Sequence, residues 1–399
     1  MLTAHALGSV PAQRTAASAE GVSDAARTAS AEGVSDAARA AAADSRAMEE
    51  GRTLTPRVAA ALTAAGFPRH FVPRRFGGEA GSFSALLASG TRLAQASASA
   101  AWCATLYAAH GRLAAYLPED GQRDLWADSP DVRIAAAVVP PQGRARIEGD
   151  HWRLTGRWAY ASGVDHADWV LLAAWTGDTE PREHRVFAVP RGAVVVDDTW
   201  RSLGLRGTGS NTVTARDVLV PVHRTFTVAD LAHGRPDGAR CHNVPPSMVA
   251  SLLFAVPALG AALGALDDWQ AATAAKRRAD GTRAHRTPRA QEAAARSSAE
   301  VAAARHLLEA AARRADHAPV TALAAAENQR DTCAAVTLCA DAVDRLFKTT
   351  GAGGLAEHDP VQQRWRDVTA VAAHAALDFD RAASAYAEAS CAASGEDLR

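Results

Sequence analysis

RWAYASGVDHADWVLLAAW, Arg157 to Trp175, and WRSLGLRGTGSNTVTARDVLVP, Trp200 to Pro221, are the stretches on which the fold turns. Trp152, Leu154, Trp158 and Tyr160 alternate approximately with polar neighbours, and the runs VVVDDTW and VLVPV are β-branched and separated by turn residues. That is the pattern of half-buried strands, so residues 132–228 read as a central β domain. Upstream, residues 46–131 read as a helical domain broken by the Pro- and Gly-rich GFPRHFVPRRFGGEAGS at Gly66 to Ser82. Phe83, Leu86, Leu87, Leu93 and Trp102 then recur at helical spacing. Downstream, Ala- and Leu-rich periodic segments over roughly 248–275, 289–316, 320–350 and 361–391 predict a four-helix bundle filling residues 247–399. A polar loop, residues 229–246, precedes it and is long enough to shape an entrance to a site. The first 45 residues carry a tandem duplication, ASAEGVSDAAR at Ala17 to Arg27 and again at Ala29 to Arg39. So little large apolar surface predicts a frayed or weakly helical extension unless it docks elsewhere.

The chain has 399 residues, 48% of them hydrophobic, which is ample for a multidomain core. With 43 basic against 44 acidic residues the net charge is -1, which gives no electrostatic reason to expect nucleic acid or an anionic membrane as partner. A small-molecule ligand is the expectation. The five cysteines show no metal-ligand spacing, so no disulfide framework or zinc site is expected and a reducing cytoplasm suits them. No membrane span and no signal peptide are expected. No GxGxxG follows a strand, so NAD(P)H chemistry would fall to another polypeptide.

The two β stretches and a third, DPVQQRWRDVTAVAAHAAL at Asp359 to Leu377, occur in an order that resembles the acyl-CoA dehydrogenase fold. That fold is an α+β multidomain architecture: an N-terminal helical domain, a central β-barrel or sandwich, and a C-terminal four-helix bundle. Within it, residues 50–395 look like the oxygenase components of two-component flavin-dependent monooxygenases. The resemblance implies FMN or FAD, reduced by a separate flavin reductase, and dioxygen as co-substrate. It further implies a C4a-hydroperoxide that hydroxylates an aromatic or polycyclic small molecule, no metal, and a homotetramer or dimer.

Dehydrogenation by this fold needs a carboxylate to remove the weakly acidic α-proton of an acyl thioester. In the family that glutamate stands about eight residues after the Arg-Asp pair of the third stretch, or in the first long bundle helix. Here the eighth residue after Asp367 is Ala375, preceded by His374, and residues 247–275 contain no glutamate. Oxygenation is therefore favoured over desaturation. N- or S-oxidation by the same fold, or a non-catalytic scaffold, stays open at this point.

By the same resemblance, Ser162 matches a serine beside the flavin N5 and C4a edge, and His110 and His374 match two histidines on the substrate side. A hydroxyl can donate or accept there, and imidazoles titrate near neutrality. Trp158 either covers the flavin or fills the β core, and Ala161 adjoins it. The basic segment Lys276 to Gln291 offers Arg283, Arg286 and Arg289 to the flavin phosphate of a neighbouring subunit, or is a solvated loop. Thr350, Gly351, Gly353 and Gly354 form either a close backbone approach to the flavin or a helix-breaking joint. GLRGTGS, Gly204 to Ser210, reads as a turn near the flavin, and His166 as a structural residue. Trp102, Tyr107 and Phe254 are the candidate substrate contacts, with core packing as the alternative.

Overall fold

The computed structural model describes residues 31–139, 142–177, 182–235 and 238–396. Residues 31–43 form a helix, α1, in which Val34, Ala37 and Ala41 are buried against the helical core. This part of the alanine-rich extension docks rather than frays, because its small side chains permit close helix approach. The first copy of the duplication lies outside the described residues. The helices α2 (Ser45–Gly51), α3 (Pro56–Ala64), α4 (Phe83–Ala96), α5 (Ala98–Ala114) and α6 (Glu119–Trp126) complete the N-terminal region.

Among the described residues eight strands follow: β1 (Ile134–Ala137), β2 (Gly143–Glu148), β3 (His151–Ala161), β4 (Trp169–Thr176), β5 (Glu183–Pro190), β6 (Val195–Asp197), β7 (Asn211–Pro221) and β8 (Thr225–Thr227). Their order is β6-β7-β3-β2-β4-β5-β8, with β1 parallel to β4. One face of the sheet encloses Leu154, Trp158, Leu172, Phe187 and Val213. The other packs Leu171, Val186 and Phe226 on Tyr116, Leu117 and Trp126.

After a short helix α7 (Asp230–His233), the chain forms α8 (Pro246–Ala275), α9 (Pro288–His317) and α10 (Ala322–Thr349). The fourth expected segment divides into α11 (Pro360–Ala372) and α12 (Phe379–Glu396), with a 3-10 turn at Ala375–Leu377 between them. Helix α8 corrects one expectation: at 30 residues and a window mean hydropathy of 2.1, it is long and apolar enough to cross a membrane. That window is 83% buried inside the molecule, as befits the central helix of a core.

Polar staples join the layers. Asp316 of α9 accepts from the Phe83 and Ser84 amides at 2.8 and 3.0 Å, where α4 begins. Arg364 of α11 donates to Asp268 of α8 and to the Ala94 and Gln95 carbonyls. The adjacent Arg-Asp pair clamps the β domain: Arg366 donates to Glu49 and to the Leu203 carbonyl, and Asp367 accepts from the Leu205 amide at 2.7 Å. Burial pushes the Asp367 carboxyl up to about 6.

Candidate active site

Helix α5 starts at Ser97, whose hydroxyl accepts from the Ala100 amide, and its first turns are buried alanines. On the next turn the Trp102 indole N–H donates to Ser162 Oγ at 3.0 Å. Ser162 belongs to the tight turn ending β3, where Tyr160 and Gly163 have φ of 65° and 71°. Gly163 is required twice over. A side chain there would strain the dihedral, and its Cβ would stand 2.6 Å from the Tyr107 hydroxyl. That hydroxyl donates to the Gly163 carbonyl at 2.8 Å.

Behind Ser162 runs a chain of hydroxyls. Ser162 Oγ lies 2.7 Å from Ser210 Oγ, Ser210 Oγ lies 2.7 Å from Thr208 Oγ1, and Thr208 donates to the Leu205 carbonyl at 2.8 Å. Leu205 is the residue whose amide Asp367 holds, so the chain is anchored through the clamp to α11.

In front of Trp102 lies a ring cluster. Phe254 of α8 stacks on His374 at 3.9 Å between centroids, and Trp102 meets Phe254 at 5.5 Å and His374 edge-on at 5.6 Å. Phe254 and His374 are half-buried, so this wall keeps an accessible face. His374 is not on a helix. It occupies the break between α11 and α12 in extended conformation, and its Nδ1 accepts from the Ala376 amide at 3.2 Å. In the neutral ring the proton then sits on Nε2, which makes His374 a hydrogen-bond donor. Burial lowers its pKa, which favours that neutral form. Ala375, where a dehydrogenase would carry its base, is exposed and brings no carboxylate, and Asp268 is paired with Arg364.

His110 is buried two helical turns beyond Trp102 on α5, and its Nδ1 donates to the Ile134 carbonyl at 2.7 Å. Its Nε2 therefore carries a lone pair, the complement of His374. Desolvation pushes its pKa down to about 4. The folded state keeps His110 neutral down to that pH, while the unfolded chain takes up the proton near its ordinary 6.5. Between these values the unfolded state binds more protons, so stability falls as pH drops through that window. His110→Gln should remove about 2–3 kcal/mol of the stability lost between pH 7 and 4.5. Urea unfolding of both proteins at the two pH values checks this; parallel losses would rule it out.

The four residues Trp102, Ser162, Phe254 and His374 thus come together. The other expectations resolve differently. Tyr107 is fully buried and holds the Gly163 turn, so it presents no surface to a substrate. Trp158 is the core alternative: fully buried, its indole N–H donates to the Ala173 carbonyl at 2.7 Å, and Ala161 packs in the same cluster. Neither side chain has surface to offer a cofactor. Tyr160 was expected to share the Trp158 face. A register shift between Trp158 and Ala161, with the positive φ at Tyr160, turns it outward to 73% exposure, edge-on to Trp200. Arg283 and Arg286 are exposed on the loop between α8 and α9. Lys276 ties that loop to the Thr350, Gly351 and Gly353 turn by donating to the Thr350 carbonyl at 2.8 Å. Among the described residues this second group shares no hydrogen bond or ring contact with the Ser162 cluster. His166 Nε2 donates to the Leu54 carbonyl at 2.7 Å and is structural. Thr208, Ser210 and Tyr160 join the site although the sequence did not single them out: Thr208 and Ser210 are hydroxyls flanking Gly209 in the quoted GTGS turn, a local signal, whereas Tyr160 opens the YASG turn and is turned outward only by its positive φ.

A hydroxyl at a strained turn, an outward aromatic beside it and an aromatic-imidazole wall suit a flat heterocycle and an aromatic acceptor, and among the described residues Ala375 stands where a dehydrogenase would carry its base. This defines a flavin-dependent oxygenase on the acyl-CoA dehydrogenase fold. Residues 252–379 match the family described as acyl-CoA dehydrogenase, C-terminal domain. The chain is 32% identical to the FADH(2)-dependent resorcinol hydroxylase, oxygenase component, of Rhizobium sp. (strain MTP-10005), over 84% of this chain and 87% of that one. It is 30% identical to the flavin-dependent monooxygenase oxygenase subunit HsaA of Rhodococcus jostii (strain RHA1), over 85% and 92%. The crystal structure of 3-HSA hydroxylase from Rhodococcus sp. RHA1 superposes with a TM-score of 0.83 at 27% identity, covering 90% and 96%. The chain belongs to the oxygenase components of two-component flavin-dependent monooxygenases, which use dioxygen and reduced flavin delivered by a separate reductase.

Proposed function

We propose that this oxygenase hydroxylates a phenolic ring, of one ring or several, bound against Phe254 and His374. The observation that carries this is the half-buried wall of Trp102, Phe254 and His374 beside Ser162, which suits a flat apolar ring better than a thioester chain or an amine. The relative named for resorcinol, a phenol, points the same way.

Bound reduced flavin supplies two electrons and the activation of dioxygen, one atom of which ends on the ring as hydroxyl while the other leaves as water. Ser162 would meet the N5 edge, Tyr160 would line the ring, and the Arg283, Arg286 and Thr350 to Gly354 group would hold the phosphate end. Because that group stands apart from Ser162 within one protomer, it would serve the flavin of a neighbouring subunit, in a homotetramer. His110 Nε2, with its lone pair, would accept a hydrogen bond from the phenol hydroxyl, while its lowered pKa keeps it neutral, and that bond raises electron density on the ring carbon to be oxidised. His374 Nε2–H donates toward the oxygen leaving as water. Trp102 and Phe254 fix the ring plane and keep water out. The five cysteines are free, which fits a reducing cytoplasm.

The test is a single turnover with reduced FMN or FAD, labelled dioxygen and a panel of phenols including resorcinol. A product heavier by one labelled oxygen is expected. If every phenol yields only hydrogen peroxide and oxidised flavin, while an amine or thioether panel yields labelled product, the phenol reading falls.

A further inference from the structure

The hydroxyl chain behind Ser162 has one possible direction. A carbonyl oxygen only accepts, so the Thr208 proton must go to Leu205. Each hydroxyl has one proton, so the Thr208–Ser210 contact must use the Ser210 proton, and the Ser162–Ser210 contact must use the Ser162 proton. Trp102 is a donor only and takes one of the Ser162 lone pairs. All four bonds form together only in the order Trp102 to Ser162 to Ser210 to Thr208 to Leu205. Ser162 is left with one free valence, a lone pair.

A lone pair is the wrong partner for oxidised flavin, whose N5 carries a lone pair itself. It is the right partner for reduced flavin, whose N5 bears hydrogen. We propose that Trp102, Ser210, Thr208 and the Leu205 carbonyl are positioning groups that hold Ser162 as an acceptor and so make the site select reduced over oxidised flavin. This rests on the reading that Ser162 meets the N5 edge. Such selection lets the oxygenase take flavin in the state that reacts with dioxygen and release it once oxidised, so product flavin does not block the next delivery.

The far end of the chain permits a clean perturbation. The Leu205 carbonyl also accepts from the Thr208 amide at 3.1 Å and the Trp200 indole at 3.0 Å. Thr208→Val keeps the side-chain shape and leaves that carbonyl partnered. It deprives Ser210 of its acceptor, so Ser210 can turn its proton to Ser162, and Ser162 can turn its own proton to the flavin.

The experiment measures dissociation constants of oxidised and, anaerobically, reduced FMN and FAD for wild type, Thr208→Val and Ser162→Ala, with thermal unfolding as a check on folding. Wild type should bind the reduced form at least about tenfold more tightly, on the scale of one hydrogen bond made against one opposed. Thr208→Val should tighten oxidised flavin and cut the ratio about tenfold, an effect that general loosening of the site cannot produce. If Thr208→Val leaves the ratio as in wild type, or weakens both forms equally, the directed chain is overturned while Ser162→Ala can still report flavin contact. If Ser162→Ala also leaves both affinities unchanged, flavin does not meet Ser162, and the placement falls together with the selection.

Discussion

His374→Ala should lower product formed per reduced flavin by about a hundredfold or more, with hydrogen peroxide released in its place. The ring it removes is stacked on Phe254 at 3.9 Å, and with its Nδ1 accepting from the Ala376 amide the neutral ring carries its proton on Nε2. Deleting a single donor aimed at a developing oxygen charge costs about 10²–10³ in rate in other enzymes. Alanine also loses the cap on the Ala376 amide, worth about 1 kcal/mol, so a fall in activity could reflect a shifted backbone. His374→Asn separates the two causes, since its side-chain oxygen can keep the cap while the imidazole N–H is gone. Both variants should hold reduced flavin within a few-fold of wild type and both should uncouple. Wild-type product yield from either would remove His374 from the chemistry.

Gly204→Ala should destabilise the protein by about 3–5 kcal/mol and disable the site from a distance. A Cβ at residue 204 would overlap the Arg366 carbonyl and stand 2.7 Å from the Asp367 amide nitrogen. Backbone meets backbone there, and no rotamer change can relieve it. The turn must lift off α11, breaking the buried bond from the Leu205 amide to Asp367 and the part-buried bond from Arg366 to the Leu203 carbonyl, both involving a charge. Leu205 also terminates the hydroxyl chain from Ser162, so flavin affinity should fall with stability. Gly192→Ala, with nothing within 4 Å of its added Cβ, is the control and should unfold like wild type. Urea unfolding of the pair checks the claim; equal midpoints would refute it.

Much of this was readable in the chain. Strand and helix periodicity separated the β domain from its helical neighbours, because each pattern is local. The missing glutamate at Ala375 and along α8 was likewise a matter of residue identity alone, and it pointed away from dehydrogenation toward oxygenation. Trp158 shows where such reading stops. Alternation placed Trp158 and Tyr160 on one face, yet the register shift beside Ala161 keeps the first in the core and turns the second out. The Arg-Asp pair of the third stretch was recognisable as a motif, but its task as a clamp appears only when Leu203 and Leu205 arrive against it.

Segment 361–391 looked like one continuous helix, since alanine-rich periodicity continues through it. Its break at His374 is sealed by contacts with Phe254 and Trp102, residues far away in the chain, and those contacts have no local signature. The sequence by itself determined the order helix, β domain, helix and the chemistry it excludes, because periodicity and composition are properties of neighbouring residues. Only the tertiary structure decided which aromatic faces outward, where the imidazole stands and which way the hydroxyl chain donates, because each depends on partners that folding alone brings within hydrogen-bonding distance.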